Sequence, residues 1–330
     1  MMKKKTLTFL IITYVLVIIA CVLFKVLGGT ALSIGGMVMM AAVLLTPMVA
    51  VLLTQKIFKE PLMLKIGLNL RLSHWFFFGW LMVPVLVVAI LALSSMLPGM
   101  GFLRQDLVDS YLDYPELVDG VTAGAVNNVM KYMDMFPMFD ATGLLLAMLV
   151  GGMLVGGIVG GIFFVASEMG WRGYLLKQFE GQPFIMACLV IGLAFGLWLS
   201  PLVPLGFFFP LHHALGIPML MVFCLAVTPI LIYVRIKTGS VWLPSVMLGT
   251  LSATALVMPL FVVGYNELYT SVEGLAGIGV LVVADMLLML CDSYLTKEHI
   301  MTSPLVVMEM PTHKEELEAV MQGRPNQEKL

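Results

Sequence analysis

Charge is what this chain has least of. Lys, Arg, Asp and Glu make up 12% of its 330 residues, where a soluble domain carries about 25%. With 60% hydrophobic residues and a mean hydropathy of +1.02, that scarcity excludes a soluble globular chain. The net charge of −2 leaves no basic surplus for nucleic acid. Cysteine is also sparse. Cys21, Cys188, Cys224 and Cys291 all fall in apolar runs, with no CxxC spacing and no cysteine–histidine cluster. This excludes a disulfide framework and a zinc site, and it reads as buried free thiols. No metal and no cofactor follow from the residues. The 28 methionines are scattered through the apolar runs as packing residues. There is no internal repeat.

Long continuous apolar runs are abundant. Barrel strands alternate and give only short, weak signals, so the runs predict helices. Runs of about 20 residues suit membrane crossing. They lie at 7–28, 31–54, 74–97, 142–166, 184–206, 212–234, 241–263 and 274–295. The basic head before the first run is followed by an apolar stretch longer than the ~7–15 residues of a secretory signal, so it reads as an uncleaved first span. Basic residues fall on alternate connections. They are Lys3, Lys4 and Lys5; Lys56, Lys59, Lys65 and Arg71; Arg172 and Lys177; Arg235 and Lys237; and Lys297, Lys314, Arg324 and Lys329. Eight spans put all of these on one side. The positive-inside rule then makes that side, and both termini, cytoplasmic.

The organisation that follows is 1–97 as three N-terminal spans, 98–139 as an acidic loop on the outer side, 140–295 as a second membrane domain and 296–330 as a polar cytoplasmic tail. In the outer loop, Asp106, Asp109, Asp113, Glu116, Asp119 and Asp134 outnumber Arg104 and Lys131. Its segment DLVDSYLDYPELVDGV predicts a short amphipathic helix broken at Pro115. In the tail, HKEELEAVMQ (313–322) predicts one short helix, with disorder elsewhere.

Two features of the second membrane domain point to a site. The run GGMLVGGIVGG stacks Gly152, Gly156 and Gly160 on one helical row, which lets a neighbouring helix approach closely in lipid. The next residues, SEMGWRGYLL, place Glu168 four positions before Arg172. On a helix that spacing puts both on one face, in the better order for pairing. The pair reads either as a structural ion pair or as part of an intramembrane active site.

SEMGWRGYLL resembles the first motif, EExxxR, of the CAAX protease and bacteriocin-processing (Abi, type II CAAX prenyl endopeptidase) family of intramembrane glutamic proteases. Glu168, Gly170, Trp171, Arg172 and Gly173 match its extended form EExGWRG. AFGLWLSPL is similar to the second motif, FxxxH, through Phe195, Gly196, Leu197, Trp198 and Pro201. YVRIKTGSVWLPSVMLGTLSA is similar to the approach to the last motif, HxxxN. The fold this implies is an all-α polytopic membrane protein of about eight transmembrane helices, with a CAAX-protease-like core in spans 4 to 7.

The resemblance also implies an activity, and the sequence departs from it at four positions. In the family a first glutamate and the second-motif histidine activate water, and the last-motif histidine and asparagine stabilise the oxyanion. Here these positions are Ser167, Leu199, Gly249 and Ala253. Serine and leucine do not titrate as a general base must, and Gly249 and Ala253 carry no side-chain donor for an oxyanion. The leading expectation is therefore a catalytically degenerate scaffold that binds another membrane or envelope protein, in a prokaryotic cytoplasmic membrane. A cavity between spans 4, 5 and 7, lined by Leu199, Gly249 and Ala253, is the expected docking place. A first alternative is an active endopeptidase with a rearranged site around Glu168, Arg172 and His212 or His213. A second is a transporter, although paired interrupted spans in two halves are absent.

Overall fold

The computed structural model describes residues 4–61, 66–70 and 72–307. Lys3, Lys65, Arg71, Lys314, Arg324, Lys329 and the helix expected at 313–322 lie outside the described residues. Among the described residues, eight helices are long and apolar enough to cross a membrane: α1 (Lys4–Val26), α2 (Ile34–Ile57), α3 (His74–Ser95), α6 (Ala141–Leu175), α7 (Phe184–Leu205), α8 (His213–Thr238), α9 (Trp242–Phe261) and α10 (Glu267–Thr296). Two shorter helices, α4 (Gln105–Asp113) and α5 (Gly120–Met135), fill the connection between α3 and α6.

Local chemistry sets several starts. Ser33 accepts from the Gly36 N–H at 3.1 Å, and Ser73 accepts from the Phe76 N–H at 3.3 Å. Asp119 accepts from the Val121 and Thr122 N–H groups, both at 3.0 Å. Each cap satisfies donors that a helix start leaves open. Pro47, Pro84, Pro218 and Pro229 lie inside helices, which membrane helices tolerate when neighbours and hydroxyls re-satisfy the freed carbonyls.

The structure differs from the sequence reading in three places. The fourth span does not end near residue 166 but continues to Leu175, so Ser167–Arg172 is helical and inside it. The eighth begins at Glu267 and bends at 271–274 before resuming at Leu275. The acidic connection holds the short helix expected before Pro115, and also α5, which was not expected. Two short strands, β1 (Gly101–Phe102) and β2 (Val262–Val263), pair antiparallel with Gly101 opposite Val263 and tie that connection to the end of α9.

Helix α6 organises the interior. It packs on α9 along one side and on α2 along another. Helix α8 packs on both α7 and α10, while α1 lies against α2. Two stretches of α6, Gly152–Gly160 and Met169–Leu175, are wound as π-helix. The wider i→i+5 turn is rare and is frequent at functional sites.

Candidate functional site

The glycine row meets α9 as a close backbone contact. A Cβ on Gly152 would meet Thr254 Cγ2 at 2.9 Å, and one on Gly160 would meet Gly249 Cα at 3.0 Å. At Gly156 it would overlap the Ala253 side chain. The fit is reciprocal, because a Cβ on Gly249 would stand 2.6 Å from the Gly161 nitrogen and overlap the Gly156 carbonyl oxygen. Close approach of small residues is how helices gain dispersion energy in lipid. Trp80 of α3 locks the same junction. Its Nε1 donates to Thr250 Oγ1 at 2.9 Å and to the Met153 carbonyl at 3.3 Å.

About two turns further on, α6 carries its charges into the core. Glu168 and Arg172 are both 0% exposed. Arg172 Nη1 donates to Glu168 Oε1 at 2.8 Å, and Nη2 donates to Thr228 Oγ1 of α8 at 3.2 Å. The guanidinium carbon lies 4.6 Å from the centre of the Phe195 ring on α7, within cation–π range. The π turn lets Trp171 point into an aromatic group shared by three helices. Its ring is 5.8 Å from Phe9, 5.8 Å from Phe195 and 5.5 Å from Trp198. Trp198 Nε1 donates to Thr46 Oγ1 at 2.9 Å, which fixes α7 to α2. The first two motif segments are thus one packed unit.

Three polar atoms in this unit have no hydrogen-bond partner: Glu168 Oε2, Trp171 Nε1 and Arg172 Nε. Such orphans are costly in low dielectric. Arg235 of α8 closes the basic end, its Nε donating to the Arg172 carbonyl at 3.2 Å. Gly67 sits over that guanidinium at φ +79, where any Cβ would strike it, so only glycine fits.

The four positions at which the sequence departs from the resembled motifs are placed as follows. Ser167 is fully buried and its hydroxyl donates back to the Phe164 carbonyl at 2.9 Å. Leu199 is buried at the end of the α-helical part of α7. Gly249 and Ala253 face the glycine row. Where spans 4 and 7 meet, that side of the cavity expected between spans 4, 5 and 7 is closed, because positions 156, 160 and 249 carry no side chain and the two backbones meet. Cavities of about 220 Å³ and 350 Å³ lie at opposite ends of the bundle, the first lined by Gln55, Glu60, Tyr174 and Gln178, the second by Gly101, Phe102, Asp119 and Val263. None of the four positions lines either one.

The histidines are not brought to Glu168. His212 Nδ1 lies 3.0 Å from Glu267 Oε1, which also accepts from the Leu211 N–H at 2.8 Å. His212 precedes Thr228, the partner of Arg172, by 16 residues, about 24 Å along a helix. His213 is exposed at the first position of α8. Among the described residues no group of three or more His, Cys, Asp or Glu is placed to hold a metal ion. Sequence reasoning missed Thr228, Thr46, Phe9 and Arg235, whose roles depend on helix rotation. Arg235 alone carried a signal, as a charge next to an apolar run.

Compared with known proteins, residues 142–254 match the family model described as Type II CAAX prenyl endopeptidase Rce1-like. That stretch runs from the start of α6 to the Ala253–Thr254 contact with the glycine row. No curated protein matches the chain.

Proposed function

We propose, from the membership of residues 142–254 in the type II CAAX prenyl endopeptidase Rce1-like family, that this chain is a catalytically silent member which holds another membrane or envelope protein. The observation that carries the proposal is the closure of α6 on α9. Gly249 stands where the resemblance places a catalytic histidine, and the Gly156 and Gly161 backbones occupy the space such a side chain would need. Ser167 and Leu199 supply no base, and Ala253 supplies no donor. The Glu168–Arg172 pair then acts as an internal clamp joining α6, α7 and α8. The orientation that fits this reading puts the basic end of the bundle, with both termini, in the cytoplasm.

A second reading is favoured by one atom. Glu168 Oε2 is unpartnered, as a carboxylate awaiting a water or substrate would be, and this supports an endopeptidase centred on Glu168. Purified protein in detergent, offered prenylated peptides and leader-type peptides beside a Glu168→Gln variant, separates the two. Silence of both proteins is the expected result. Cleavage by the native chain that disappears in a folded Glu168→Gln variant would overturn the proposal.

A further inference from the structure

Asp285 stands midway along the straight part of α10, ten residues after Leu275 and eleven before Thr296. That is about 15 Å from either end, the depth at which a charge is most costly in a bilayer. The residue is half-buried. Its Oδ1 is sealed and has no hydrogen-bond partner, and the carboxyl makes no ion pair among the described residues. Asp292, two turns on, is already used: its Oδ2 accepts from the Met301 N–H at 2.9 Å.

The surroundings form a trough. Helix α8 packs on both α7 and α10, but α7 and α10 do not pack closely on one another. Both helices that flank α8 present apolar side chains to lipid, Met186, Leu189 and Leu193 on α7 and Val282, Met286 and Met289 on α10. Asp285 lies on the face of α10 between exposed Val282 and Met289 on one side and buried Leu281 on the other. An apolar trough with a single unpartnered acid at mid-depth is the complement of an apolar helix with a single cation at mid-depth.

We infer that the α7–α8–α10 trough docks a transmembrane helix of another protein, one carrying a Lys or Arg at mid-bilayer that pairs with Asp285. A second copy of this chain does not fit. Its described cations within the spans are Arg172 and Arg235, both buried, and Lys4, Lys5, Lys25, Lys56 and Lys237, all at span ends. The inference rests on the reading that the chain holds another membrane protein, and it names the kind of segment held.

The test co-reconstitutes the full chain in bilayers with synthetic Leu/Ala single-span helices, one with a central Lys and one without, and reads energy transfer between labelled partners. The Lys helix is expected to bind about tenfold more tightly in mole fraction than the plain helix, as one polar pair in lipid allows. Asp285→Asn should erase the difference, and Asp285→Lys should shift the preference to a helix with a central Asp. Equal binding of the two helices to the native chain would overturn the inference without needing any variant. So would an unchanged preference in Asp285→Asn, or self-association of the chain that Asp285→Asn abolishes. Peptidase activity with intact Lys-helix binding would sink the proposed silence alone. Silence without Lys-helix preference would sink this inference alone.

Discussion

Gly156 of α6 and Gly249 of α9 meet backbone to backbone, with no room between them for one methyl group. The motif resemblance leads one to expect a histidine at position 249, and the close contact leaves no space for one.

Gly249→Ala should destabilise the bundle, because the new Cβ meets backbone atoms of 156, 160 and 161 that cannot rotate away. Overpacking of this kind costs about 1–3 kcal/mol. Gly151→Ala, with nothing within 4 Å of the added carbon, is expected to leave the melting temperature unchanged or raised. Thermal melts of the two variants in one detergent make the comparison, and equal melting temperatures would contradict the close contact.

Breaking the Glu168–Arg172 pair on one side should cost about 3–5 kcal/mol, since the remaining charge is stranded in the core. Arg172→Met and Glu168→Gln are each expected to lower stability in a mixed-micelle denaturant titration. Glu168→Gln with Arg172→Met together should lose clearly less than the two single losses added. Strict additivity would mean that the pair is not coupled.

Thr46→Val removes the acceptor of Trp198 Nε1 at nearly constant volume. The buried indole N–H is then unsatisfied, a loss of about 1–3 kcal/mol. Denaturant titration checks the size. The family segment on α7 would lose its tie to α2, so hydrogen exchange should rise in residues 195–199 before it rises in α9.

Much of this arrangement was legible in the chain. Apolar runs of about 20 residues fixed eight helices because lipid demands that each span satisfy its own backbone. The row Gly152, Gly156, Gly160 announced a close neighbour through spacing alone. The π windings were not legible, because i→i+4 and i→i+5 bonding use the same residues. Nor was the partner of Arg172, since Thr228 reaches it only through the rotation of α8. Helix α5 carried a readable signal that went unused: Asp119 as a cap, then Ala125, Val126 and Val129, all buried, at helical spacing.

That cap also gives a pH dependence. Hydrogen bonds from the Thr122 hydroxyl and then its backbone N–H hold the Asp119 carboxyl below the usual aspartate range. A lowered value in the folded state means that the cap contributes above the unfolded value of about 3.9 and is lost as pH falls through the folded value. Amide exchange in the first turn of α5, corrected for intrinsic rate, should stay slow from neutral pH to about 4 and quicken below it. Asp119→Asn should flatten the profile.

The wide windings of α6 have one more consequence. A π segment accommodates one residue more per turn than an α-helix does, so it stores an insertion without breaking the rod. Each residue of an α-helix turns the chain by about 100°. Deleting a single glycine between Gly152 and Gly160 would thus relax one turn to ordinary winding and leave Glu168 and Arg172 close to their present facing, whereas deleting one residue from the α-wound stretch Gly161–Glu168 would swing Arg172 by about a quarter turn. The glycines keep α6 close to α9, and the wide winding they sit in is the part of the rod that tolerates a change in length.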